Sequence, residues 1–343
     1  MPSSSVALSA IPRFVFAPFG IAAIVALTLE WPNGSWPVQL AWIAVAAYVS
    51  FCWTSCFHET AHQTLCGSRR FSIWIGRSVG TMIFVPYNAY RESHIRHHAY
   101  LNKPADWELW PYSDPNSPLW FRRIFCWLEI PFGAFTSPIA YGRLFFHRRS
   151  PLRNPKIRST IGREYLAMLI VWASIISLVA YTSAWRAFLV AWVIPHLIAG
   201  VFQTFRKFTE HLGMKSYDPL LGARTVIGTN LITRFFTFLN FDIFVHGPHH
   251  RHPRYRHEQL CHKMAEYQNK NPRTRYPVFK TYWRAILDTV PAVFGNPGVG
   301  MNVGAPAPAN EKPHDIQDFG SDITIEILAA RDTADEHLSA TTH

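Results

Sequence analysis

Four stretches of this chain, Ile11–Trp31, Val38–Phe57, Tyr165–Ser183 and Trp185–Phe205, are apolar almost throughout. A hydrocarbon layer about 30 Å thick is crossed by about 20 helical residues. Inside that layer each backbone N–H and C=O must find its partner within the chain, and an isolated segment does so as a helix. The links are short: Pro32–Pro37 joins the first pair, and Ala184 with its neighbours joins the second. The expected fold is all-α and integral to a membrane, with four spans in two transmembrane hairpins. Ile11–Trp31 has Arg13 as its one basic residue and no small-residue cleavage site after it, so it reads as a retained anchor and not as a signal peptide.

Only 16% of the 343 residues are charged, against about 25% in soluble proteins. This excludes disordered, collagenous and coiled-coil classes. The five cysteines, Cys52, Cys56, Cys66, Cys126 and Cys261, form no C-x-x-C pair and are odd in number. That argues against a disulfide framework and against a four-cysteine zinc site.

The net charge of +11 has a direction. With four spans, fifteen Lys and Arg lie between His58 and Glu164 and sixteen from Arg206 onward. Adding Arg13 puts 32 of the 33 on one side, and only Arg186 falls on the other. The positive-inside rule makes the basic side, with both termini, cytoplasmic. The charge then suits anionic lipid headgroups, and no nucleic acid is needed.

Three further apolar stretches carry arginine: Phe71–Tyr90 holds Arg77, Leu119–Phe146 holds Arg122, Arg123 and Arg143, and Val226–Val245 holds Arg234. Arginine inside a bilayer is costly, so these are expected as interfacial or re-entrant segments of a cytoplasmic helical cap. From Gly295 the composition turns to Pro, Gly, Ala and acids. From Glu311 on, eight acidic residues stand against Lys312 and Arg331. Residues 1–294 are expected to form the catalytic unit, and 295–343 a disordered acidic tail.

The 17 histidines are clustered. His58 and His62, in H-E-T-A-H, are four apart and share a helix face. His94, His97 and His98, in H-I-R-H-H, come next with i, i+3, i+4 spacing. His246, His249 and His250 repeat it in H-G-P-H-H, where Pro248 suits the first turn of a helix opening near His249. His211, in T-E-H-L-G-M, stands alone just beyond the fourth span. Neutral imidazole ligates Fe, Cu, Ni and Zn, and eight clustered rings exceed the three or four protein ligands of one zinc. They suit two metals. His62 and His94 can share one only if Phe71–Tyr90 does not cross the membrane, in agreement with its arginine.

The series H-x-x-x-H, H-x-x-H-H, H-x-x-H-H on paired spans resembles the membrane fatty acid desaturase superfamily, which includes fatty acid desaturases, alkane hydroxylases and carotenoid ketolases. The likeness covers roughly His58–Leu260 and the first hairpin. It implies a non-haem di-iron centre (two Fe ions) that uses O2 on a lipid-like substrate. It also implies an external electron donor of ferredoxin, rubredoxin or cytochrome b5 type, since the chain has neither an H-P-G-G signature nor clustered cysteines. The implied metal ligands are His58, His62, His94, His97, His98, His246, His249 and His250. E-H-L-G at Glu210–Gly213 is similar to the E-H-Y-G element of alkane hydroxylases and adds His211. A ligating imidazole usually donates its other N–H to a carboxylate or carbonyl, which nominates Asp106 and Asp242, the latter four residues before His246.

Two other chemistries fit parts of this pattern. H-E-T-A-H matches the H-E-x-x-H motif of zinc proteases, but that reading leaves seven candidate ligands idle. A bis-histidine haem carrier needs imidazoles facing each other at depth between spans, whereas these sit at span ends. The reading carried forward is a desaturase, with a hydroxylase or ketolase of a hydrocarbon, acyl or carotenoid substrate as the alternative. The aromatic stretches Phe84–Tyr90 and Phe235–Phe244 are expected to line the substrate approach. His196 is expected in a core or tunnel, and His252 and His257 in a solvated basic run.

Overall fold

Proline and short polar side chains mark where the helices begin. The computed structural model describes residues 11–30, 34–63, 65–253, 255 and 257–308. A 3-10 turn, Ile11–Val15, leads into α1 (Phe16–Glu30), and α2 (Trp36–Ala61) opens on Pro37. Ser68 caps α3 (Arg69–Met82) by accepting the Phe71 N–H. α4 (Tyr87–Ala99) begins after Pro86, and α5 (Leu119–Phe146) after Pro118. Asn154 caps α6 (Pro155–Tyr181). α7 (Trp185–His211) contains a π-helical turn at Leu189–Val193, just before Pro195. Proline has no N–H to donate to the carbonyl one turn back, and a π turn accommodates such a break. The shorter helices are α8 (Leu231–Leu239), α9 (His246–Arg251), α10 (His257–Lys270) and α11 (Tyr282–Phe294). Two-residue strands, β1 (Thr225–Val226) and β2 (Val278–Phe279), pair in parallel.

Four helical segments among the described residues are long and apolar enough to cross a membrane: Pro12–Leu29, Trp36–Ala61, Pro155–Tyr181 and Trp185–His211. They are the four stretches that hydropathy selects. Three of them run further than the apolar pattern does, and α6 starts at Pro155, well before Tyr165. α2 continues past Phe57 to Ala61, and α7 past Phe205 to His211. The first histidine pair and His211 therefore ride on continuous spans. Of the arginine-bearing stretches, Phe71–Tyr90 breaks between α3 and α4, Val226–Val245 holds only α8, and Leu119–Phe146 is one helix kinked at Phe132.

Packing between helices relies on small residues, which let backbones approach closely. A Cβ added at Gly133 of α5 would lie 2.5 Å from the Gly200 carbonyl, and one at Gly200 of α7 would lie 2.5 Å from the Ala134 nitrogen. α1 buries Ala23 and Leu27 against Ile43 and Ala46 of α2 and against Val190 and Ala191 in the π turn. Phe19, Ile21 and Leu29 of α1 and Leu169, Ile170 and Leu178 of α6 face outward, as apolar side chains on a lipid-facing surface do. Glu164 of α6 accepts from Arg77 (3.0 Å) and from the Asn88 N–H (2.9 Å), tying the start of α4 to a span.

The segment after Gly295 corrects the boundary drawn from composition. The Val299 N–H donates to the Tyr112 carbonyl (3.0 Å), the Gly300 N–H to Met214 (2.9 Å), and the Gly213 N–H to Gly298 (2.8 Å). Arg122 Nε donates to the Pro297 carbonyl at 3.1 Å, and Asn302 Nδ2 to those of Tyr112 and Asp114. Gly300 has φ +53, and a Cβ there would meet the Asn102 carbonyl at 2.1 Å. Backbone hydrogen bonds and glycine's left-handed conformation hold this strap, and a count of apolar side chains detects neither. The acidic residues from Glu311 on lie outside the described residues. Ending the chain after Pro308 is expected to leave the thermal unfolding midpoint in detergent unchanged. Ending it after Gly295 should cost about 6 kcal/mol, at roughly 1 kcal/mol for each of these six lost hydrogen bonds, seen as a lower midpoint.

Candidate metal centre

Helix ends bring the histidines together. The last turn of α2 carries His58 and its C-cap is His62, α4 carries His94, His97 and His98, α7 ends on His211, and α9 carries His246, His249 and His250. Eight of the nine are at most 5% exposed, and His98 is half-buried. Local contacts fix each end. Arg224 donates to the carbonyls of Leu212 (2.8 Å) and Thr209 (3.3 Å), closing the C-terminus of α7 beside His211. α9 opens at His246, earlier than the sequence predicts, with Pro248 inside its first turn. Gly247 is required there: its N–H donates to Thr225 Oγ1 (3.0 Å), and a Cβ would lie 2.9 Å from that oxygen.

The nine rings form two groups, each with one candidate ligand atom per residue within 4.8 Å of the others. His58, His62, His94, His98 and His249 make one, and His97, His211, His246 and His250 make the other. Helical geometry explains the division. Residues four apart nearly eclipse, whereas consecutive residues diverge by about 100°. Hence His94 and His98 share the first group, while His97 turns to the second. His246 and His250 share the second, while His249 turns to the first. Each H-x-x-H-H run thus serves both groups, although its spacing alone suggests a single face. The groups abut, with the His98 and His250 ring centres 4.3 Å apart.

Outer partners orient the rings. His97 Nδ1 lies 2.8 Å from Asp106 Oδ2, His94 Nδ1 lies 3.2 Å from Glu108 Oε2, and His246 Nδ1 lies 3.1 Å from the Ile243 carbonyl. A proton held on Nδ1 leaves a lone pair on Nε2. Those Nε2 atoms face one another: His62 and His98 each lie 3.1 Å from His94, and His246 lies 2.8 Å from His211 and 3.0 Å from His250. Two nitrogens about 2.1 Å from one ion, at a right angle, are about 3.0 Å apart. His58 Nε2 is buried without a hydrogen-bond partner among the described residues. The donor set, its spacing and this orphaned nitrogen fit a metal ion in each group. Glu59 Oε1, the general base of the protease reading, sits instead 3.3 Å from His58 Nδ1, on the ring edge opposite that nitrogen.

Burial, with neighbouring imidazoles, pushes His94, His98, His246 and His250 well below the usual histidine range, so they are neutral and able to ligate at pH 7. His97 is the exception. Burial would lower it too, but Asp106 overrides this and raises it to about 9. Burial lifts the Glu108 carboxyl to about 7.

A cavity of ≈ 90 Å³ adjoins the groups, bordered by His58, His94, His97, His211 and His246 and by Tyr90, Tyr141 and Glu108. It continues past Gln203, Gly200 and Ala199 of α7 and Ala134, Ser137 and Ala140 of α5 to His196. Val85 and Tyr90 from the first aromatic stretch line it. The second stretch goes elsewhere: Phe235 and Phe236 face outward, and Phe241 packs against Phe14 and Phe16. Asp242 likewise does not serve His246. Its Oδ2 pairs with Arg13 at 2.9 Å, because Phe241 and Asp242 adopt left-handed backbone conformations that turn the chain before α9. His252 is buried, with Nε2 2.8 Å from the Tyr267 hydroxyl, and is not a solvated residue. Glu108 and Tyr141, whose hydroxyl donates to Glu108 Oε1 at 3.1 Å, escape sequence reasoning. The available signal was the D-W-E pattern, two acids a residue apart after the second cluster.

Known proteins share this pattern. The family model described as fatty acid desaturase matches residues 34–282. The chain is 24% identical over 255 residues to the sn-1 acyl-lipid omega-3 desaturase (ferredoxin) of Synechocystis, covering 66% of this chain and 68% of that one. It is 22% identical to the chloroplastic omega-6 fatty acid desaturase of Spinacia oleracea, over 65% of this chain and 53% of the relative. It is 24% identical to the chloroplastic omega-3 fatty acid desaturase of Ricinus communis, over 74% and 57%. The match spans about two thirds of the first relative and little more than half of the other two. Four membrane-length helices, clustered histidines and a match over most of the chain lead to one conclusion: the chain belongs to the fatty acid desaturase family and is a membrane-bound oxidoreductase.

Proposed function

We propose that this enzyme is an O2-dependent di-iron desaturase that introduces a double bond into a fatty-acyl or other lipid-like chain. The observation that carries this reading is the gathering of nine imidazoles into two abutting groups beside a cavity that continues between membrane helices. His58, His62, His94, His98 and His249 would hold one iron, and His97, His211, His246 and His250 the other. When bound, the irons would use O2 and electrons from an outside donor to supply the oxidising power for an unactivated C–H bond.

The remaining work falls to the chain's own residues. Ile83, Val85, Ala134, Ala140 and Ala199 give the cavity apolar walls that hold a hydrocarbon and exclude water. Asp106 and Glu108 keep a proton of His97 and of His94 on Nδ1, so that His94 offers Nε2, and His97 does so once its second proton leaves. Glu108, near 7 and bonded to Tyr141, can hold or release a proton at Oε1 beside the cavity. The Synechocystis relative has ferredoxin in its name, which supports a donor of that type over rubredoxin or cytochrome b5. The 32-to-1 division of basic residues supports two hairpins with a cytoplasmic cap, and both termini and all histidine clusters on the cytoplasmic side. A second reading, hydroxylation, is favoured by one observation: His211 of the E-H-L-G element lies 2.8 Å from His246 within the second group.

Incubation of the purified protein with O2, reductant and an electron-transfer protein is expected to give a product two hydrogens lighter than its substrate. A product one oxygen heavier, labelled from ¹⁸O2, establishes hydroxylation instead. Because His97 carries a proton below about pH 9, metal entering the second group displaces it. Metal affinity of the stripped protein should therefore rise with pH up to about 9, with about one proton released per chain at pH 7 by calorimetry in buffers of differing ionisation heat. Asp106→Asn should weaken that affinity about 10- to 100-fold and remove most of the pH dependence. A cysteine at Ser35 is expected to react with an impermeant thiol reagent from outside, and one at Asn269 only after permeabilisation. The reverse pattern would invert the topology.

A further inference from the structure

The cavity beside the histidine groups is also bordered by a polar atom within a span. His196 and His211 are fifteen residues apart on α7, about 22 Å of helix at 1.5 Å per residue, so His196 lies deep within the span. An ionisable side chain at that depth is costly and marks function by default. His196 lines the cavity, and its Nε2 is shielded from solvent with no hydrogen-bond partner among the described residues. The ring is clamped: Trp192 lies parallel to it (9°, 5.8 Å), Phe84 stands at a steep angle at 6.5 Å, and Phe84 stacks on Trp172 at 4.5 Å.

Two backbone irregularities meet at this ring. Phe84 holds φ +61, a conformation unusual for a bulky residue. The π turn Leu189–Val193 ends two residues before Pro195 and sets the facing of the helical turn that carries His196. Both keep aromatic walls around an imidazole whose nitrogen pairs with nothing among the described residues. Ser137 and Gln203 also line this cavity. A plain polymethylene chain would leave the His196 nitrogen unpaired, at the cost of a forgone hydrogen bond. A hydroxyl would pair with it in either tautomer, because it both donates and accepts.

We propose that His196 recognises a hydroxyl group carried on the substrate chain, far from the carbons that react. This rests on the reading of the cavity as the seat of the substrate, and it adds a specificity-determining residue and a substrate class, the hydroxylated lipid chain. The test uses the full chain in nanodiscs, with methyl stearate and methyl hydroxystearates bearing the hydroxyl at mid-chain or terminal positions. Binding is read by displacement of a fluorescent fatty acid. At least one hydroxystearate is expected to bind about tenfold more tightly than methyl stearate, the effect of roughly one hydrogen bond. His196→Phe should abolish the preference, and His196→Gln, which keeps a donor and an acceptor, should retain part of it. Equal binding of all chains to the wild type, or an unchanged preference in His196→Phe, overturns the proposal. His249→Ala should keep the preference while losing turnover; losing the preference there would mean that the metals hold the hydroxyl, and would also overturn it. If no chain binds to the folded protein, the reading of the cavity fails and this inference with it.

Discussion

Nine imidazoles buried together impose the strongest constraint on this molecule. Each ring has two nitrogens, and a buried nitrogen must be paired. Outer partners account for Nδ1 of His94, His97 and His246, which leaves Nε2 atoms converging at hydrogen-bonding distance with lone pairs toward one another. Hydrogen bonds cannot satisfy that arrangement, because each shared lone pair is approached from two sides. A cation in each group can. The helix ends match that arrangement, since α2, α4, α7 and α9 all deliver side chains to two points a few ångströms apart.

Tolerances of that order explain how much of the surrounding structure is fixed by hydrogen bonds and glycine. Arg206 Nη1 donates to Ser55 Oγ at 2.9 Å, and Ser55 Oγ donates to Asn240 Oδ1 at 2.7 Å, linking α7, α2 and the turn before α9. Asn240 Nδ2 in turn reaches the Tyr48 hydroxyl. Arg224 closes α7, and Thr225 receives the backbone of Gly247. The histidine-bearing ends of the helices are therefore tied to one another by buried polar bonds, while the far halves of α1, α2 and α7 pack through apolar contacts.

The spans were legible because twenty apolar residues in a row leave a chain few options, and an arginine more than two residues in from the ends of a stretch was enough to demote it. The site was legible for a related reason: i, i+4 histidine spacing survives any detail of tertiary packing. What could not be read was direction. The same spacing that places His94, His97 and His98 near one face does not reveal that His97 belongs to a different group. Asp242 stands four residues before His246, which in a continuous helix would bring them together, but a left-handed turn intervenes and Asp242 meets Arg13 instead. Glu108 lies in a loop with no period to read, and only its neighbour Asp106 was nominated as a ring partner. The strap after Gly295 was invisible to composition because its backbone, not its side chains, makes most of its contacts.

That strap also bears on when the site can be completed. It clasps the loop at Asn102 and Tyr112, between the second histidine cluster and α5, and the chain just past His211 at Gly213 and Met214. Residues 296–302 leave the ribosome only after every histidine of the site has been made. Through most of synthesis, then, two of the four helix ends that carry the site are without the clasp that holds the chain beside them. The loop after the second cluster and the chain just past His211 are thus fastened to each other by the last described segment, after all nine histidines have been made.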